Sequence, residues 1–151
     1  MELVLLMGVQ ATGKSTFWRE RFADTHVRIN LDMLRTRHRE RRLLQTCLEI
    51  GQSVVVDNTN VSMAEREPYI MRAKASGFRV VGYYFRSALS ECIERNRVRP
   101  EHQRIPDRGV RGTAGRLELP SLSEGFEALW YVRIDPEGGF VVVPWQPEDV
   151  P

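Results

Sequence analysis

Gly8-Val9-Gln10-Ala11-Thr12-Gly13-Lys14-Ser15 follows directly on the apolar run Leu3-Val4-Leu5-Leu6-Met7, and this junction decides the fold. The pattern is G-x-x-x-x-G-K-[ST], lying where a phosphate-binding loop must lie, between a buried strand and a helix. The glycines let the backbone curl so that several N–H groups point at phosphate oxygens. Lys14 supplies a mobile cation for the β- and γ-phosphates, and Ser15 a hydroxyl for Mg²⁺. A helix beginning at Lys14 turns its positive dipole end on the same phosphates. The loop therefore predicts ATP or another nucleoside triphosphate as ligand, held by Gly8, Ala11, Thr12, Gly13, Lys14, Ser15 and Thr16. An accidental strand–turn–helix match is the weaker reading, because four defined positions fall in the right context.

Outside the loop, 151 residues amount to one domain over 1–151, long enough to bury roughly two-thirds of the unfolded surface. No apolar run approaches the ~20 residues of a membrane span, and the N-terminal apolar stretch runs into the loop rather than a cleavage site. A cytoplasmic protein with no membrane partner is expected. Cys47 and Cys92 stand far apart with no C-x-x-C spacing, which points to buried thiols rather than a disulfide or zinc site. Net charge is only +2, but it is unevenly spread: residues 95–116 carry seven arginines against Glu101 and Asp107, and residues 117–151 carry seven acids against Arg133. Such asymmetry marks a side suited to a polyanion. Arginine abundance alone carries no weight, since only Lys14 and Lys74 among the 22 basic residues are lysine.

After the loop, the pattern predicts a helix from Lys14 to about Thr25, a short strand Val27–Ile29, and a long helix from Met33 to about Ile50 capped by Gly51. Ser53 to Asp57 is a β-branched run closed by an acid, as in a central parallel strand. Ser62-Met63-Ala64-Glu65 is a capping box, and Pro68 comes late enough to predict a kink or restart in the helix that follows. Arg79 to Phe85 reads as a fourth strand and Ser87 to Val98 as its helix. From Arg99 to Pro120, Gly109, Gly112 and Gly115 interrupt a helical pattern at about 1 kcal/mol each. They predict a marginally stable lid over 99–119, with an irregular surface loop as the alternative. Ala128 to Ile134 is a fifth strand, and Phe140 to Val143 returns beside it after a Gly-rich turn. The sum is an α/β fold of P-loop, kinase type: three layers, α/β/α, around a mainly parallel five-stranded sheet with a C-terminal antiparallel hairpin edge.

Phosphoryl transfer needs a phosphate cradle, a metal, cations around the transferred group, and a residue that orients or deprotonates the acceptor. Asp32, just past the second strand, is placed to take a proton from an acceptor hydroxyl; capping the helix that starts at Met33 is its plainer reading. Arg35, one helical turn on, would share its face and clamp an acceptor phosphate, or stand solvated among Arg37, Arg39, Arg41 and Arg42. Asp57 is read as holding Mg²⁺ through water or positioning Ser15, with capping of the Asn58 turn as its alternative. Asp57 and Thr59 are also assigned to acceptor binding, on the edge that Asn58-Thr59-Asn60 extends. Of Arg95, Arg97 and Arg99, one or two can face the phosphates, and Arg95 is assigned to the ATP side.

Gly8-x-x-x-x-Gly13-Lys14-Ser15-Thr16, Asn30-x-Asp32-x-x-Arg35, Asp57-Asn58-Thr59-Asn60 and Arg95-Asn96-x-x-Arg99 with Ile105-Pro106 resemble, in order and spacing, the kinase domain of polynucleotide 5′-hydroxyl kinases. Pro120-x-Leu122-x-Glu124-Gly125-Phe126 resembles the segment before the last strand in the animal polynucleotide kinase-phosphatases. The resemblance covers Leu3 to about Ile134. It implies that Asp32 is the general base on the 5′-hydroxyl, that Arg35 binds the phosphate of the acceptor's first nucleotide, and that Arg99 descends from a lid onto the transferring phosphoryl group. Implied partners are 5′-OH ends of RNA or DNA, with a repair ligase or phosphatase acting separately, since no D-x-D-x-T motif accompanies the kinase. Leu31, where these kinases often carry Arg, and the short glycine-rich lid depart from the family. Two competing readings are a small-molecule kinase acting on a sugar, nucleoside or antibiotic, and a P-loop protein that binds ATP without transferring phosphate.

Overall fold

The structure, a computed structural model, describes residues 1–151, the side chain of Asp149 apart. The apolar run becomes β1, Glu2–Met7, in which Leu3 to Met7 expose nothing. It is followed by α1 (Lys14–Arg21), β2 (Val27–Ile29), α2 (Leu31–Leu34), α3 (Arg37–Ile50), β3 (Val54–Asp57) and α4 (Met63–Ala75). The chain continues through β4 (Arg79–Phe85), α5 (Leu89–Arg97), α6 (Asp107–Gly115), β5 (Ala128–Ile134) and β6 (Phe140–Pro144), with short 3₁₀ turns at Glu101–Gln103, Leu122–Glu124 and Pro147–Asp149.

The strands form one sheet in the order β2-β3-β1-β4-β5-β6. The first five are parallel and β6 is antiparallel to β5. Alternate residues of β1 explain its uninterrupted hydrophobicity, since both faces are covered. Leu3, Leu5 and Met7 join the core beneath α3 and α4, whereas Val4 and Leu6 pack with Phe17 of α1. A third cluster joins Val9 of the loop to Cys92 and Ile93 of α5 and Val110 of α6. Both cysteines are free and buried. Among the described residues no helix is long and apolar enough to cross a membrane.

Three expectations are corrected, and a fourth segment is more regular than its glycines suggest. The helix from Lys14 ends at Arg21, with Phe22 at its C-cap, rather than near Thr25. The long helix from Met33 is two helices: Arg35, at φ 76°, breaks it, and Thr36 caps α3 by accepting from the Arg39 N–H. Side chains that satisfy a helix start compete with continuation of the preceding helix. Pro68 causes no restart, because Arg66 before it and Tyr69, Ile70 and Ala73 after it are buried and hold α4 in one piece. Gly109 and Gly112 lie inside α6 and Gly115 ends it; fully buried Val110 and the Thr113 Oγ1 bond to the Gly109 carbonyl hold a helix that propensity disfavours.

Candidate functional site

The loop between β1 and α1 is fixed from both sides. The Gly8 N–H donates to the Thr59 carbonyl at 2.9 Å, and the Val9 N–H to Ser87 Oγ at 3.0 Å. Gly13 has φ 95°, and a Cβ there would sit 2.9 Å from the Phe140 ring, so β6 closes directly over the loop's second glycine. Lys14 is buried, and its Nζ donates to the Gly8 and Val9 carbonyls, both at 2.8 Å, and to Thr12 Oγ1 at 3.3 Å. Burial lowers its pKa to about 8; Asp57 opposes that shift, and nearby Arg99 reinforces it.

Ser15 Oγ donates to Asp57 Oδ2 at 2.8 Å. These are hard oxygens of the kind Mg²⁺ takes, alongside the phosphates of a bound nucleotide. Arg28 of β2, which sequence reasoning misses, reaches the same pair. Its Nε donates to Asp57 Oδ2 at 2.8 Å and its Nη2 to Ser15 Oγ at 2.9 Å. The only sequence signal is strand alternation, which turns Arg28 to the α1 side; that β2 lies beside β3 is not written in the local pattern.

At the β2 edge, Asn30 and not Asp32 caps the next helix. Asn30 Oδ1 accepts from the Met33 N–H at 2.9 Å while Nδ2 donates to the Asp57 carbonyl. The capping alternative for Asp32 therefore falls, and Asp32 stands exposed in the first turn of α2. Arg35 is the C-cap of α2 and exposed, so it does not continue a helix one turn beyond Asp32. Near the end of α5 the arginines diverge. Arg97 pairs with Asp107 at 2.8 Å, Arg95 lies within electrostatic reach of Cys92, and Arg99 within reach of Lys14. Gln10 Nε2 donates to Thr113 Oγ1 at 2.9 Å, tying the loop to α6.

Beside the loop, a cleft of about 430 Å³ opens between α3 and α4. Asn58, Thr59 and Asn60 line it where they leave β3, and Arg37, Arg41, Arg72 and Arg116 also line it. Buried Glu40 accepts from Tyr69 Oη at 2.7 Å, from Arg37 Nη1 at 2.9 Å and from Asn58 Nδ2 at 3.1 Å. Burial, then the bond to Glu40, pushes the Tyr69 phenol well above its usual range. Of the residues expected on the acceptor side, Thr59 lines this cleft, whereas Asp32, Arg35 and Asp57 do not. Glu40 and Tyr69 are likewise beyond sequence reasoning, being 29 residues apart and joined only by helix packing.

The family model AAA_33, an AAA domain, matches residues 3–120. The bifunctional polynucleotide phosphatase/kinase of Schizosaccharomyces pombe is 26% identical over 129 residues, covering 83% of this chain and 32% of that protein. The chain thus spans about a third of that relative's length. The crystal structure of AvrRxo1-ORF1:-ORF2 with ATP is similar at a TM-score of 0.71 and 16% identity, over 94% of this chain and 57% of that one. A gluconokinase from Sinorhizobium meliloti is similar at a TM-score of 0.60 and 20% identity, over 87% and 81% of the two chains. The structural likenesses carry the fold, a P-loop kinase type with a mostly parallel sheet.

Proposed function

The chain belongs to the AAA_33 family of AAA domains, and on that premise we propose that it transfers the γ-phosphate of ATP to the 5′-hydroxyl end of a polynucleotide, RNA or DNA. One observation carries the reading: buried, cationic Lys14 and the Ser15–Asp57 pair share a sheet edge with a cleft that arginines line. A donor cradle and a polyanion-compatible acceptor surface thus lie side by side. The 26% identity to a polynucleotide phosphatase/kinase favours this acceptor over others.

In this reading the loop amides and Lys14 hold the triphosphate, and Ser15, with Asp57 acting through water, would hold Mg²⁺, which would supply charge neutralisation at the phosphates. Asp32 takes the proton of the acceptor hydroxyl as its oxygen bonds to the γ-phosphorus and the bond to the β–γ bridging oxygen breaks. Arg99 and Arg95 neutralise charge on the donor side, and Arg35 holds the acceptor's first phosphate. The lid is proposed within 99–119; its moving part is the stretch before α6, since Val110 and the Gln10–Thr113 bond anchor α6 to the loop.

A second reading, a small-molecule kinase, draws on the cleft itself, whose 430 Å³ suits a sugar or nucleoside, and on the gluconokinase likeness. The deciding experiment is transfer of labelled γ-phosphate to 5′-OH oligonucleotides of RNA and DNA, run beside a panel of sugars and nucleosides. Oligonucleotide ends should be labelled. Asp32→Ala should still bind nucleotide while losing on the order of 100-fold in transfer. Labelled sugar with unlabelled oligonucleotide would replace the first reading with the second.

A further inference from the structure

Ser15 Oγ and Asp57 Oδ2, the two oxygens given to Mg²⁺ above, are bridged by a cation from within the chain. The Arg28 guanidinium places Nε and Nη2 each 2.8 Å from Asp57 Oδ2, and Nη2 2.9 Å from Ser15 Oγ. Asp57 is only 2% exposed, so its partner is chosen by the fold and not by solvent. Ser15 spends its proton on Asp57, and Arg28 donates to the Ser15 oxygen, the atom through which that hydroxyl would bind a metal. Arg28 is also not walled in: its side chain is 23% exposed and already lies over the Trp18 ring of α1, 5.6 Å from the centroid.

We propose that Arg28 is an internal counter-cation that keeps Ser15 and Asp57 in register and yields them to Mg²⁺ when a nucleotide binds. The proposal rests on the nucleotide-binding half of the function above and is indifferent to the acceptor. Charge-assisted hydrogen bonds are about twice as strong as neutral ones, so displacing Arg28 sets the metal's apparent affinity. A protein with no arginine at this place should take Mg²⁺ more readily.

The test is a Mg²⁺ titration of the protein–ADP complex. Arg28→Gln should lower the half-saturating Mg²⁺ concentration about tenfold. In the wild type, Mg²⁺ should also change the fluorescence that Trp18 contributes, measured as the difference from a Trp18→Phe variant, because the guanidinium shifts against that ring. An unchanged or higher half-saturation in folded Arg28→Gln overturns the proposal. If that variant does not fold, a wild-type Trp18 signal indifferent to Mg²⁺ overturns it instead. Failure of the wild type to bind ADP at all would sink the nucleotide-binding reading, a separate outcome.

Discussion

Lys14 is a charge the fold keeps out of water, and its pKa of about 8 records that burial against an ordinary value of 10.5. Below pH 8 the free protein already carries the cation. Above about pH 8 the free ammonium is largely neutral, whereas a bound polyphosphate favours the charged form. Nucleotide binding should then take up a proton, and affinity should fall as pH rises past 8, toward tenfold per unit. Calorimetry in two buffers of different ionisation enthalpy should find uptake near zero at about pH 7 and approaching one proton at about pH 9.5. Lys14→Arg, charged throughout, should flatten the dependence; a wild-type affinity level up to pH 9.5 would refute the linkage. Lys14, Ser15 and Asp57 were legible because a contiguous motif and a strand ending announce them. Arg28, Glu40 and Tyr69 were not, because each acts through a neighbour that only the assembled sheet and helices supply.

Among the elements, the break between α2 and α3 reshapes the acceptor side most. Leu34, Leu43, Leu44, Cys47 and Leu48 fit one helical period, and that spacing hides two helix starts written in short polar side chains, Asn30 and Thr36. The α6 glycines lie in a helix all the same, with the burial of Val110 offsetting their cost. Asn30 joins α2 to β3 by accepting from Met33 and donating to the Asp57 carbonyl. Asn30→Ala removes both bonds and should cost about 1–3 kcal/mol in denaturant unfolding, with transfer reduced because α2 carries Asp32. Asn30→Asp keeps the cap acceptor and loses the donor, so it should recover part of that stability. Equal stability of Asn30→Ala and wild type would show that α2 is held by other contacts.

Across the molecule, the alternation of strands and helices announced a parallel sheet, while the strand order and the cleft between α3 and α4 depend on contacts the alternation does not encode. The same holds for charge: a net +2 conceals how many arginines converge beside the phosphate loop. Two of the four cleft arginines are already neutralised, Arg37 by Glu40 and Arg116 by Glu65. Among the described residues Arg72 meets the Gln45 amide alone and Arg41 has no ion-pair partner, so these two remain able to meet backbone phosphates. Each phosphate so held on a single strand adds about 0.7 to the slope of log affinity against log salt. Arg41→Gln and Arg72→Gln should therefore each flatten that slope by about 0.7 for a 5′-OH oligonucleotide. Labelling of a 3′-phosphorylated mononucleoside, which carries no further backbone phosphates, should change less than that of the oligonucleotide. Slopes equal to wild type in both variants would mean that the strand leaves the active site by another face, and the arginine-rich stretch from Arg95 to Arg116 would be the next surface to neutralise.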